Sequence, residues 1–308
     1  MDYGNQTLLD ELILIGLTEN KTLRISLSVL FLVIYILTIL GNGFLVFTVI
    51  VSPQLHIPMY YFLCNLSFLD LFFTSCSLPK VLHDSFSNTR KISVTGCLTQ
   101  MNLVLLFGTA ESMLLAVMAY DRYIAICFPL RYTVIMSWRV CNCITVTMWG
   151  GSFLLSILPI IAKPIVFCKG NTLNHAACEV LVVLEHACGD MSTTKTLMFF
   201  QGFLTLFSEL ILIVVSYICI IVSLLRIRSS RGRAKAFSTC ASHLTVMIMF
   251  YGTSLTVYMG QARFSSKLKY ISLTYGVVTP ALNPIIYSLR NNDVKEAFKR
   301  ILTKYSVK

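Results

Sequence analysis

Charge is what this chain most lacks: Asp, Glu, Lys and Arg together supply 13% of its 308 residues, roughly half their share in a typical soluble domain. A sequence so poor in charge does not cover a water-facing surface, which sets soluble classes aside. Motif chemistry is missing too. None of the eleven cysteines falls into C-x-x-C spacing, and neither H-E-x-x-H nor G-x-G-x-x-G occurs, so metal, thioredoxin-like and dinucleotide chemistry have no support. No nucleophile, base and orienting group recur at a recognisable spacing, which argues against an enzyme. The two halves of the chain show no self-similarity, which disfavours a transporter built from inverted repeats. No basic n-region precedes a short apolar run with a small-residue cleavage site, so the first apolar run is expected to stay as an uncleaved anchor.

What the chain has is hydrocarbon. Hydrophobic residues make up 56% of it and the mean hydropathy is +0.75. Seven runs are long enough to cross a bilayer: Ile25 to Val51, Met59 to Leu78, Gln100 to Tyr120, Val140 to Ile161, Thr196 to Leu225, Thr239 to Gly260 and Tyr270 to Leu289. The expected fold is an all-α membrane protein, a seven-transmembrane helix bundle with a short amphipathic C-terminal helix. It divides into an extracellular segment 1–24, a seven-span bundle 25–290 and a cytoplasmic tail 291–308, with no room for a catalytic domain. An odd number of spans puts the termini on opposite sides. With the amino terminus outside, 14 of the 25 Lys and Arg fall on inner segments, clustered between spans five and six and in the tail. Two sequons, at Asn5 and Asn20, precede the first span; Asn20 lies close to the bilayer, so Asn5 is the expected glycosylation site. In the tail, Val294, Phe298 and Ile301 or Leu302 oppose Lys295, Lys299 and Arg300, the pattern of a helix lying on the membrane surface.

The third run carries the richest pattern. Stepping back from Arg122 by four and three in turn meets Met118, Leu115, Glu111, Gly108, Val104, Met101 and Cys97, one stripe on one helix face. Glu111 is too costly to point at lipid, so this stripe faces protein or water. Asp70 in the second run is another membrane-embedded acid. If the two share a site they would repel when both ionised, and a sodium ion or a shared proton would sit between them. Asp121 and Arg122 close the run at the water boundary, where an arginine can curl back to the adjacent carboxylate. The fifth run places Gln201, Thr205 and Glu209 at four-residue spacing; Glu209 suits either a ligand contact or a buried hydrogen bond. In the sixth, Tyr251, Leu255 and Tyr258 share a side with Ser254 adjacent. Pro280 and Pro284 break the seventh around Asn283, freeing carbonyls that need partners. Asn42, between Gly41 and Gly43, needs a hydrogen-bond partner too, while its glycine neighbours permit close helix approach. Cys97 and the loop cysteines Cys168, Cys178 and Cys188 face an oxidising compartment and allow three pairings.

These motifs, taken in order, resemble the olfactory receptors among the rhodopsin-like G-protein-coupled receptors: Gly41-Asn42, LHIPMYYFLCNLSFLD from Leu55 to Asp70, MAYDRYIAICFPLRY from Met118 to Tyr132, Ser216-Tyr217, KAFSTCASHL from Lys235 to Leu244, FYGT from Phe250 to Thr253, and PALNPIIYSLRN from Pro280 to Asn291. The resemblance covers nearly the whole chain. It implies disulfides Cys97 to Cys178 and Cys168 to Cys188, a loop held as a lid, and a plasma-membrane receptor that needs no cofactor, with a sodium ion at Asp70 and Glu111 coupled to Asn283. It implies that a small volatile odorant meets Met101, Val104, Leu105, Gly108 and Thr109 on one side and Gln201, Thr205, Tyr251, Ser254, Leu255 and Tyr258 on the other. Asp121, Arg122 and Tyr123 would form the switch, with Tyr217, Lys235, Asn283, Pro284 and Tyr287 in activation, raising cyclic AMP through a stimulatory olfactory-type heterotrimeric G protein. Membrane lipid is the other expected partner and nucleic acid is not one. Val277 stands where light receptors of this superfamily carry a lysine, and Val104 where amine receptors carry an aspartate, so neither of those ligand classes is expected.

Overall fold

A computed structural model of the chain describes residues 10–87, 90–163, 165–168, 170–226, 230–260, 265–290 and 292–306. The expected glycosylation site Asn5 lies outside them. Among the described residues ten α-helices form: α1 Lys21–Val51, α2 Pro58–Phe86, α3 Val94–Cys127, α4 Tyr132–Ile135, α5 Trp138–Ala162, α6 Val180–His186, α7 Ser192–Leu225, α8 Ser230–Gly260, α9 Ser265–Arg290 and α10 Asn292–Ser306. The seven long ones, α1, α2, α3, α5, α7, α8 and α9, are the seven spans. Five of them, α1, α2, α3, α5 and α7, are apolar and long enough among the described residues to cross a membrane on that ground alone.

The helices outrun the apolar runs. Each 34-residue helix, α3 and α7, is about 50 Å long against a hydrocarbon thickness of about 30 Å. Hydropathy marks only the buried length, whereas backbone hydrogen bonding continues into water. Accordingly α2 passes Leu78 and runs through Pro79 to Phe86, and α8 begins at Ser230, within the basic run. The first boundary shifts too. Asn20 Oδ1 accepts the backbone N–H groups of Thr22 and Leu23 at 3.0 and 3.2 Å, so α1 starts at Lys21 rather than at residue 25.

Side chains that face away from the bundle are apolar: Leu30, Val33, Leu37 and Leu40 on α1 and Leu204, Ile211 and Ile218 on α7 are half or more exposed, as lipid contact requires. The interior holds a continuous apolar cluster through α2, α3, α7 and α8, including Leu63, Leu66, Leu69, Leu114, Leu115, Ile213, Ile220 and Phe250. At the Arg122 end, α10 buries Val294 and Ala297 and stacks Phe298 edge-on against Phe44 of α1 at 4.7 Å, leaving Lys295, Lys299 and Arg300 exposed.

A small sheet at the opposite end was not legible in the hydropathy pattern. Strands β1 Glu11–Leu14, β2 Lys91–Ser93 and β3 Thr172–Leu173 lie in the order β2-β1-β3, with β1 antiparallel to β2 and parallel to β3. Leu12 and Leu14 alternate inward and are buried, while Glu11 faces out and pairs with Lys91 at 2.7 Å. These strands, with disulfides Cys97–Cys178 and Cys168–Cys188, fasten the long loop between α5 and α7 over the bundle as a lid. Leu12, Leu14, Met101, Phe167, Leu173 and Val183 form its apolar underside.

Proline and glycine fix the approach of α1 to α9. Pro284 has no N–H to give the carbonyl of Pro280 one turn earlier. Asn42 Nδ2 takes that place, donating to Pro280 at 2.9 Å and to its own helix at Thr38 at 3.1 Å. Contact this close needs Gly41, where a β-carbon would stand 3.0 Å from Pro284 Cγ; Gly43, grouped with it by sequence, has nothing within 4 Å of such an atom. Gly41→Leu should therefore lower thermal stability by about 1–3 kcal/mol through forced separation of α1 and α9, measured as unfolding of the purified protein, while Gly43→Leu should change it little. Equal losses would refute this assignment of the two glycines.

Candidate functional site

Helix α3 runs through three polar junctions, and its predicted stripe is buried or half-buried from end to end: Cys97, Met101, Glu111, Leu115 and Met118 are buried, Val104, Gly108 and Arg122 half-buried.

The first junction lies beneath the lid. Gln100, one turn inside Cys97, donates from Nε2 to the carbonyl of Cys76 at 2.9 Å and accepts the backbone N–H of Cys178 on Oε1, also at 2.9 Å. One amide thus joins α2 close to Pro79, α3 and the bridged lid. Sequence reading passed over Gln100; its signal is a lone amide one turn from a disulfide in an apolar run.

Below it come the residues proposed for ligand contact. Val104, Leu105, Gly108 and Thr109 on α3, Gln201 and Thr205 on α7, and Ser254 and Leu255 on α8 are half-buried, the exposure expected of an interior surface. Two others are closed off. Met101 is 1% exposed within the lid's apolar underside, and Tyr251 is 4% exposed. The amide of Gln201 donates to the carbonyl of Leu155 on α5 at 3.0 Å, and the Thr205 hydroxyl to its own helix at Gln201. The ring of Phe73 lies 3.7 Å from where a β-carbon on Gly108 would be and 3.2 Å from one on Gly276, so it fills the space between α3 and α9. The side chains of Tyr258 and Lys235 lie outside the described residues.

The second junction is double. Asn283 donates to both carboxylate oxygens of Asp70 at 3.0 Å, tying α2 to α9, and Glu111 is buried within electrostatic reach of Asp70. Across the bundle, Glu209 accepts from Ser112 Oγ at 3.3 Å and from the Tyr251 hydroxyl at 3.0 Å; that hydroxyl is also 3.2 Å from the carbonyl of Ser112. Of the two roles open to Glu209, the structure has the buried hydrogen bond, a knot of α3, α7 and α8. Two hydroxyl donors, one to each oxygen, satisfy part of the hydrogen-bonding need that burial imposes on this carboxyl group.

At the third junction Arg122 turns back along its own helix to Asp121, with Nε at 3.1 Å and Nη2 closer still. The other oxygen of Asp121 accepts the Tyr132 hydroxyl at 2.8 Å. Burial, and then the neighbouring Asp121 carboxylate, raise the Tyr132 hydroxyl above its ordinary range, so it remains a donor. On α7, Tyr217 reaches the carbonyl of Cys240 at 3.2 Å and His243 Nδ1 at 3.0 Å, both on α8. Tyr287 is buried on α9, its ring centre 6.4 Å from that of His243, and Tyr123 stacks edge-on against Phe128.

A family model described as olfactory receptor matches residues 31–305. The chain belongs to the olfactory receptor family. The receptor is 44% identical to human olfactory receptor 13C2, with 99% of this chain and 98% of that one aligned, 42% identical to human olfactory receptor 13H1, with 99% of each aligned, and 42% identical to mouse olfactory receptor 2A7, with 97% of each aligned. Among solved structures it resembles squid rhodopsin at a TM-score of 0.69, covering 92% of this chain and 87% of that one; at 20% identity this likeness speaks for the fold. The receptor is thus a multi-pass plasma-membrane protein of the odorant-sensing, G-protein-coupled kind, and not an enzyme.

The knot on Glu209 makes its own prediction. Glu209→Leu leaves the Tyr251 hydroxyl only the Ser112 carbonyl and the Ser112 hydroxyl only the Thr109 carbonyl and should cost the receptor about 1–2 kcal/mol of stability, whereas Glu209→Gln keeps one oxygen to accept from one hydroxyl and offers an N–H to the oxygen of the other, and should lose less than half of that. Thermal unfolding of the two purified variants distinguishes them, and equal losses would place the importance of Glu209 in its charge.

Proposed function

We propose that the receptor binds a small volatile odorant in the half of the bundle beneath the lid and passes the signal along α3 to a stimulatory olfactory-type heterotrimeric G protein, raising cyclic AMP. The amino terminus and the lid face outward and the Arg122 end faces the cytoplasm, which accords with the clustering of Lys and Arg on the inner segments. Val104, Leu105, Gly108, Thr109, Thr205, Ser254 and Leu255 supply the contact surface, mostly apolar with a few hydroxyls, which suits a ligand held by shape and one or two hydrogen bonds. Met101 and Tyr251 act from behind it: Met101 couples it to the lid, and Tyr251 ties it to Glu209. Gln201 shapes one wall through its hold on α5.

The observation that carries this reading is the closed cluster at the other end, where Arg122 is taken up by Asp121 and Asp121 by Tyr132. A partner entering there must compete for Arg122, so ligand-driven rearrangement of α3 against α8 and α9 has something to release. Tyr217, Tyr287, Asn283 and Pro284 lie on the helices that would then move, with Lys235 at the entry of α8 and Tyr123 beside the switch. Asp70, Glu111 and Oδ1 of Asn283, which has no hydrogen-bond partner among the described residues, are an all-oxygen set, the donor chemistry of a hard monovalent cation; when bound, sodium would supply positive charge between the two acids. Membrane lipid is the solvent of the spans and the surface on which α10 lies.

In cells expressing the chain and an olfactory-type G protein, Arg122→Ala should abolish odorant-dependent cyclic AMP with surface level retained. An unchanged response would falsify the role given to Arg122. Tyr132→Phe removes a hydrogen bond to a charged group, worth about 1.5 kcal/mol, and should raise basal cyclic AMP by up to about tenfold.

A further inference from the structure

At the disulfide end a second cleft opens, separate from the interior beneath the lid. Leu14 and Leu17 of the N-terminal segment, Leu27 of α1, Val81 of α2 and Ala176 of the lid form its apolar side, and it is a shallow cleft whose space of about 370 Å³ includes open solvent at its mouth. Its polar side is Arg24, Asp84 and Arg90. Each guanidinium spends one N–H on a backbone carbonyl: Arg24 Nε on Ser85 at 3.1 Å, and Arg90 Nη1 on Ile15. Among the described residues neither arginine has a carboxylate partner, so the rest of each fork is left over. Asp84 is only 7% exposed; its Oδ1 receives Lys80 Nζ and His83 Nδ1, while its Oδ2 is buried and has no hydrogen-bond donor among the described residues.

These contacts use only part of the hydrogen-bonding capacity gathered there. A buried carboxylate oxygen without a donor costs free energy, and two half-buried arginines that share a wall repel each other. All three groups are explained together if the cleft takes a molecule of complementary charge. Guanidinium forks match phosphate and carboxylate oxygens two at a time, and an acceptor beside them selects a head that also carries a donor. We propose that this cleft is a second ligand site, for an amphiphile whose phosphate or carboxylate lies on Arg24 and Arg90, whose neighbouring ammonium donates to Asp84 Oδ2, and whose short apolar stem lies along Leu17, Leu27 and Val81. Leu23, Ile25 and Val29 of α1, beside Arg24 in sequence, are 38–50% exposed on the lipid-facing surface, so the same head chemistry can arrive on a phospholipid or on a free zwitterion.

The test uses full-length receptor in a maltoside detergent, with O-phosphoethanolamine as probe and phosphocholine, whose quaternary ammonium has no N–H to give, as comparison. Saturating O-phosphoethanolamine should raise the melting temperature by about 5 °C, and phosphocholine by clearly less. Arg24→Gln should lose both shifts, and Asp84→Asn should erase the difference between the probes. No shift with either probe, or equal shifts in wild type and Arg24→Gln, overturns the proposal. If Arg24→Gln does not accumulate as folded protein, equilibrium dialysis of wild-type receptor against radiolabelled O-phosphoethanolamine decides: one saturable site displaced by unlabelled probe supports it, and no saturable binding overturns it. Nanodiscs then identify the source. A soluble-probe shift lost in phosphatidylethanolamine but kept in phosphatidylcholine assigns the site to the lipid headgroup, and one kept in both assigns it to a soluble zwitterion.

Discussion

Pro284 withholds one N–H from a helix that has no water to turn to, and much of the bundle can be understood as the answer. In hydrocarbon an unpaired carbonyl costs several kcal/mol, so the Pro280 carbonyl must find a donor outside α9. Asn42 supplies it, which requires α1 to come so near that Gly41 alone fits against the proline ring. The same broken turn carries Asn283, whose amide holds Asp70 of α2. One missing hydrogen bond thereby sets the spacing of three helices.

Several polar groups sunk in the bundle are likewise met by partners on other elements. Gln100 links α2, α3 and the lid; Glu209 links α3, α7 and α8; Tyr217 links α7 and α8. Individually such contacts are modest in a membrane, about 0.6–2 kcal/mol. The Gln100 and Glu209 contacts both engage α3, so a shift of that helix would strain both at once. Interiors pack too tightly to absorb such strain gradually, which favours discrete rearrangement over continuous bending.

Much of this was legible in the residues. The spans followed from hydropathy, and the α3 stripe from helical periodicity, since a carboxylate at Glu111 leaves only one tolerable face. Tertiary contacts were less so. Asn42 announced a need for a partner without naming the Pro280 carbonyl 238 residues on. Gly41 and Gly43 look alike in the chain, yet only one meets a neighbouring helix. Strand β1 is four residues long and alternates in burial, too brief a pattern to stand out ahead of an apolar span. Helix ends escaped because hydropathy measures the bilayer, whereas caps such as Asn20 end the helix. Met101 and Tyr251 belonged to the right faces; how far packing would close over them depended on the lid and on Glu209, which no spacing rule connects.

Asp121 and Arg122 are neighbours on one helix, and that adjacency has a kinetic side. A pair joined by a single peptide bond meets at a high effective concentration whatever the rest of the molecule does, so it re-forms as soon as a competitor leaves and carries no memory of how far apart the helices stand. Information about helix spacing must reside in bonds that span elements, namely Tyr132 to Asp121 and Tyr217 to Cys240 and His243. In the proposed scheme the arginine would be a fast latch and the tyrosines its timers, with the persistence of a signal set by how slowly they return.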